Sequence, residues 1–421
     1  MSELKDRLKG AKDLVLDAVD ATAQLVEDTQ DSVADRAVSM VSAVPPLKAP
    51  AEAVDAARRL GARLTFGAIK GINAGVRAAL DVGAALAPEG DAAAPPRTNT
   101  AAEAILGAVN GVVGDHLRSQ GNGLDLGMRL RVGDRYFDPG TAQEALQDVD
   151  TARLVVFIHG LAVTETAWTL NAEAAWGDPN VTYASRLEAE LGYTPIFVRY
   201  NSGLHISENG RELARHLEAL VQAAPTPVRA LVLVGHSMGG LLARSATHYA
   251  EADAAWLRVL THVFTLGTPH QGSPLEKAGR VVTEALGAIA TPATQVIAAV
   301  ARLRSAAIQD LGDGLLVDED WQQASPDAWL AKPRTEVPFL DGVTYVFVGA
   351  TVTADPAHPA GKLVGDLLVR LPSSTHDTVQ REQATFALDR HILGGADHVS
   401  LQNRPEVYAI LRDRLAADRE G

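Results

Sequence analysis

Residues Leu231-Val232-Leu233-Val234-Gly235-His236-Ser237-Met238-Gly239-Gly240-Leu241-Leu242-Ala243-Arg244 run from an unbroken apolar segment through a G-x-S-x-G pattern into a helix-compatible stretch. Four branched apolar residues in succession predict a strand buried on both faces, as in a parallel sheet. The turn that follows places Ser237 between a strand end and a helix start, where its hydroxyl stands clear of the sheet. Side chains larger than glycine at Gly235 or Gly239 would collide with adjacent backbone in such a turn. The competing reading is an ordinary serine in a glycine-rich turn. The strand before and the helix after decide for a candidate nucleophile.

Working outward, Leu154-Val155-Val156-Phe157-Ile158-His159-Gly160-Leu161 is a second apolar segment, ending in His-Gly upstream of Ser237. In acyl transfer the carbonyl oxygen becomes negatively charged, and two preorganised backbone N–H groups stabilise it. Leu161, after His159 and Gly160, and Met238, after His236 and Ser237, are the expected donors. Further strands are predicted over residues 128–132, 196–199, 263–266 and 343–348, and helices over 207–223, 238–250 and 405–417. Asn403 and Glu406, three apart with Pro405 near the helix start, predict a capping arrangement for the last of these. The alternation implies an α/β class protein with a mostly parallel sheet covered by helices.

With Thr265-Leu266-Gly267-Thr268-Pro269-His270-Gln271-Gly272-Ser273-Pro274 as a third ordered motif, residues 128–417 resemble an α/β-hydrolase of the bacterial lipase and esterase type, including triacylglycerol lipases and PGAP1-like hydrolases. The resemblance implies the α/β-hydrolase fold, cleavage of carboxylic esters through a Ser–Asp–His triad, and no organic cofactor. In this fold the order is Ser, then acid, then His. His398, in Gly394-Gly395-Ala396-Asp397-His398-Val399 before the closing helix, is the expected base; His376 and His391 are the other late histidines, and His391 follows a helical pattern. The acid should follow the strand at 343–348, which leaves Asp355, Asp366 and Asp377. Asp366 resembles the acid of the family's G-D-G loop, although Leu367 replaces the second glycine. Asp313 in Leu311-Gly312-Asp313-Gly314 matches that pattern better but precedes the last strand. His205, in the Asn201-Ser202-Gly203-Leu204-His205 segment after a strand end, reads as structural and borders the expected pocket.

The first third is different in kind. Only Phe66 of the 20 aromatic residues precedes Tyr136. Leu4, Leu8, Ala11, Val15, Ala18, Thr22 and Leu25 recur at helical spacing, and further helices are expected over 51–87 and 101–117, separated by the Pro-containing linker 88–100. This predicts an all-α extension over 1–120 and a catalytic domain over 121–421, with a lid-like or fixed insertion at 275–337. Residues 36–87 carry 7 basic and 3 acidic side chains, against 4 and 9 over residues 1–35. A helical hairpin packed on protein and an interfacial helix on a membrane or storage granule are both open for residues 51–87.

Composition narrows the partners. A formal net charge of −14 disfavours nucleic acid, the absence of cysteine removes thiolate chemistry, and no histidine cluster has metal-ligand spacing. No metal is expected for the chemistry, a structural calcium stays open, and the oligomeric state is not fixed by sequence. A start of mixed charge predicts a cytoplasmic protein, and the uncharged 285–301 stretch, Ala-rich with Pro292, reads as soluble. A small-molecule or lipid ester is the expected substrate. Thioester hydrolysis, acyl transfer and polyester cleavage on the same fold remain alternatives, as does a non-catalytic lipid-surface binding protein.

Overall fold

The computed structural model describes residues 100–273, 305–322, 334–358, 361, 365–366, 368–376 and 386–417. The expected helices before residue 100, the linker 88–100 up to its last residue, the 285–301 stretch, Leu367 and Asp377 lie outside the described residues. Eight strands form one sheet: β1 (Met128–Val132), β2 (Arg135–Phe137), β3 (Arg153–Ile158), β4 (Thr194–Tyr200), β5 (Ala230–His236), β6 (Leu260–Leu266), β7 (Thr344–Thr351) and β8 (Ala387–Gly394). Their order is β2-β1-β4-β3-β5-β6-β7-β8. β1 pairs antiparallel with β2 and β4, and every pair from β4 to β8 is parallel. This is the α/β-hydrolase fold that the motifs imply, with β3, β5 and β6 at its centre.

The principal helices are α1 (Thr100–Ser119), α2 (Tyr183–Leu191), α3 (Ile206–Ala223), α4 (Met238–Tyr249), α5 (Ala306–Asp313) and α6 (Pro405–Ala417). Successive side chains of a strand point to opposite faces, so the central strands feed two cores. Leu154, Val156, Ile158, Leu231 and Leu233 pack with Leu213 and Leu217 of α3 and Leu241 of α4. Val155, Phe157, Val232, Val234 and Phe264 pack on the other face with Leu187 of α2 and Tyr408 and Leu411 of α6. Being buried on both faces, these strands show no apolar–polar alternation in sequence.

Sequence expectations change at His391 and Asn403. His391 lies on β8, paired with Val348, so its surroundings are an edge strand and not a helix. Asn403 does not cap α6: at φ 58° its side chain accepts from Tyr183 N–H and donates to the carbonyls of Trp168 and Leu170. Asp313 ends α5, where Gly314 in the left-handed region closes the helix by donating to the Asp310 carbonyl, which accounts for the G-D-G pattern there. Residues 107–119, read as part of the extension, group in one compact unit with 107–274 and 305–421. Of the 275–337 insertion, residues 305–322 are tied to the body, as His205 Nδ1 and Ile206 N–H both bond the buried Asp310 carboxylate.

Candidate active site

The turn after β5 has the strain that its sequence predicts. Ser237 sits at φ 54° and ψ −124°, a conformation that a non-glycine residue adopts only when its surroundings impose it. Those surroundings are tight. A Cβ at Gly235 would fall 2.5 Å from Gly239 C and Gly240 N, and one at Gly239 would fall 2.2 Å from the Ile158 carbonyl oxygen. Ser237 N–H donates to the Leu266 carbonyl at 2.8 Å, which pins the turn between β5 and β6. The serine is partly exposed, and its hydroxyl makes no hydrogen bond among the described residues.

His398 and Asp366 are brought together. His398 Nδ1 lies 2.8 Å from Asp366 Oδ2, with the carboxylate fully buried and the histidine 6% exposed. Asp366 Oδ1 accepts from the N–H groups of Leu368 and Val369 at 3.1 and 2.8 Å, and its carbonyl accepts from His398 N–H at 3.0 Å. A carboxylate at Nδ1 favours the tautomer that carries its proton there, leaving the Nε2 lone pair free to act as a base. A Cβ at Gly267, just past β6, would be 3.0 Å from Asp366 Oδ2 and 3.1 Å from His398 Nδ1. Since the Leu266 carbonyl also holds Ser237, all three groups gather at the carboxyl ends of β5 to β7, where open α/β sheets bind ligands.

His236, next to Ser237 in the chain, makes the link between Ser237 and His398. Its Nε2 donates to the His398 carbonyl at 3.0 Å, and the two rings stand 4.7 Å apart. Burial, together with the nearby His398, pushes its pKa down to about 3, so it stays neutral and keeps this donor. His398 is thus held at its N–H, its carbonyl and Nδ1. Ser237 Oγ and His398 Nε2 are not hydrogen-bonded to each other; in hydrolases such contacts commonly close only once substrate is bound.

On the other side, a Cβ at Gly160 would lie 3.0 Å from Ser237 Cβ, so the β3 end reaches Ser237 directly. The N–H groups of Leu161 and Met238 have no partner among the described residues. His159 is fully buried, stacked on Tyr200 at 4.2 Å, with Nδ1 bonded to the Gly160 carbonyl and its pKa pushed by burial down to about 4. The rejected candidates have other surroundings. Asp355 is exposed and caps its own turn through Ala357 N–H, while His376 packs among Phe339, Phe347 and His270. His270 of the third motif bonds Thr265 Oγ1 at 3.0 Å and is structural.

Sequence reading did not single out Ser202, whose Oγ accepts from Ala162 N–H at 3.1 Å, directly after Leu161. Its place in the Asn-Ser-Gly segment after β4 was the available signal. Among the described residues no group of acidic, histidine or cysteine side chains is arranged to hold a metal, and no helix is long and apolar enough to cross a membrane.

Residues 151–349 match the family described as the PGAP1-like alpha/beta domain. Solved structures similar to this chain include a mature lipase from Bacillus licheniformis (19% identity, covering 63% of this chain and 93% of that one, TM-score 0.39). A Pyrococcus furiosus esterase (11%, 64% and 84%, TM-score 0.36) and an alpha/beta hydrolase fold protein from Chitinophaga pinensis (11%, 63% and 90%, TM-score 0.34) are others. No curated protein matches the sequence. In fold, the chain is an α/β-hydrolase.

Proposed function

We propose that the protein is a serine hydrolase of carboxylic esters. The observation that carries this reading is the 2.8 Å His398–Asp366 bond, joined through the His236–His398 contact to a serine held at positive φ whose hydroxyl has no partner among the described residues. Ser237 Oγ attacks the ester carbonyl carbon while its proton passes to His398 Nε2. The resulting oxyanion accepts from the Leu161 and Met238 N–H groups. Collapse breaks the carbon–oxygen bond to the alcohol, which takes the proton from His398 and leaves an acyl group on Ser237. Water, deprotonated by His398, attacks the acyl-enzyme, and the acid departs as Ser237 recovers its proton. Asp366 stays ionised, fixing the ring and stabilising the imidazolium that forms twice per cycle.

The test is hydrolysis of a nitrophenyl ester series of increasing acyl length by the full chain and by Ser237→Ala. Turnover by the parent that vanishes in the variant supports the reading, and the preferred length assigns the substrate to soluble esters or to lipids. A folded parent that hydrolyses no member of the series, with thioesters included, would reject it in favour of a binding protein.

A further inference from the structure

We infer that α1, which lies before the β-sheet and outside the hydrolase motifs, is a positioning element for the oxyanion loop that follows β3; this rests on the esterase reading above. The loop is Leu161-Ala162-Val163-Thr164, and its first N–H is half of the oxyanion site. Ala162 adopts φ 61°, so the loop is held in a shape that it would not keep unaided. α1 supplies one of the holding surfaces by backbone contact. A Cβ at Gly111 would fall 2.5 Å from Ala162 Cα and 2.6 Å from its Cβ, and a Cβ at Gly107 would fall 2.7 Å from Val163 Cα. Only hydrogen fits at either position.

The helix is itself fixed from two directions, the β4 end and the start of α5, so it acts as a support and does not merely lean on the loop. Asn201 Nδ2, just past β4, donates to the Gly114 carbonyl at 2.9 Å and to Asp125 Oδ1 at 2.7 Å. Val113 departs from helical geometry (φ −133°, ψ 22°), and the Gly111 carbonyl accepts from Ser305 Oγ at 2.6 Å. Ala306 N–H, at the start of α5, donates to Asp115 Oδ2 at 3.1 Å. On its far side the loop is held by Ser202 Oγ at Ala162 N–H, and by Glu165, fully buried in the next turn and bonded to Arg199 Nη1 at 2.9 Å and to the Tyr136 hydroxyl. The loop is thus gripped between α1 and the β4 end. A shift of this grip moves the Leu161 N–H and leaves Ser237, His398 and Asp366 where they are.

Gly111→Val in the full chain tests this, with Ser202→Ala as a second variant that adds no bulk and His116→Ala, exposed on the same helix, as the control. Displacing a reacting group by about 1 Å costs up to about a hundredfold in rate. We expect kcat to fall tenfold to a hundredfold in Gly111→Val and less in Ser202→Ala, with KM within threefold and the loss equal across acyl lengths. The pH profile should keep its position, because His398 is untouched. Affinity for phenylboronic acid, whose tetrahedral adduct on Ser237 occupies the oxyanion site, should weaken by the same factor as kcat/KM, and His116→Ala should match the parent. Unchanged kcat and boronate affinity in Ser202→Ala and in a folded Gly111→Val would overturn the inference. So would a loss confined to long acyl chains, which would make α1 a wall of the acyl pocket. A parent that turns over no ester would instead remove the esterase reading.

Discussion

Among the described residues, two histidine–aspartate pairs are built from the same parts. His398 bonds the buried Asp366 at 2.8 Å, and His205 bonds the buried Asp310 at 3.0 Å. They differ in what surrounds them. His205 is covered by the Trp321 indole, stacked at 3.8 Å and 5°, and the nearby Ser207 hydroxyl is taken by Trp321 Nε1 at 3.0 Å. His398 stands against His236, the residue before Ser237, and the Ser237 hydroxyl and the Leu161 and Met238 N–H groups have no partner among the described residues. A histidine–aspartate pair is therefore no signature of catalysis. It becomes one beside a strained nucleophile and unsatisfied donors, and otherwise it is a fastener, here of α5 to α3.

The largest test of this contrast is paired substitution of the serines. Ser237→Ala should lower ester turnover by about 10⁴ to 10⁶-fold, and Ser207→Ala should leave kcat within about threefold. Replacing the bases follows: His398→Gln should lose activity on a similar scale with its fold kept, whereas His205→Gln should keep kcat. For the acids, Asp366→Asn should lower kcat by about 10³ to 10⁴-fold, because the wrong tautomer is then favoured. Asp310→Asn should instead lower unfolding free energy by about 1–3 kcal/mol, read by denaturant melts, with little change in kcat.

The smallest effect is on pH. Burial lowers the pKa of His236 to about 3, of His159 to about 4 and of His376 to about 3, against about 6.5 in an unfolded chain. Between those limits the unfolded chain binds more protons, so the stability that these groups contribute is full above pH 6.5 and is lost as pH falls toward 4. His205 has the opposite sign: burial opposes its charge, but the Asp310 carboxylate outweighs this and raises its pKa. Its contribution is full below pH 6.5 and is lost as pH rises through the raised value. Thermal melts of His205→Gln against the parent should therefore differ most on the acid side and converge as pH rises.

The turn at Ser237 was legible because strained turns demand particular residues. Gly235, Gly239 and Ser237 could be read together, and His398 and Asp366 followed from chain order on the recognised fold. β2 and β8 were not predicted. The first is three residues long, and the second is an edge strand whose Asp389, Arg390 and His391 break up the apolar pattern. Asn403 looked like a cap because its spacing to Glu406 is right, but its partners lie some 220 residues earlier, beyond the reach of local pattern. The grip of α1 on the oxyanion loop was hidden for the same reason: Gly107 and Gly111 read as ordinary small residues of a helix until Ala162 and Val163 are seen against them.

The claim beneath all of this is that one hydroxyl in the chain is activated. Incubating the full chain with a fluorophosphonate and mapping the adduct by peptide mass spectrometry tests it directly. The account predicts stoichiometric phosphonylation of Ser237, abolished in His398→Gln. A folded protein left unmodified, or modified at another serine, would contradict it.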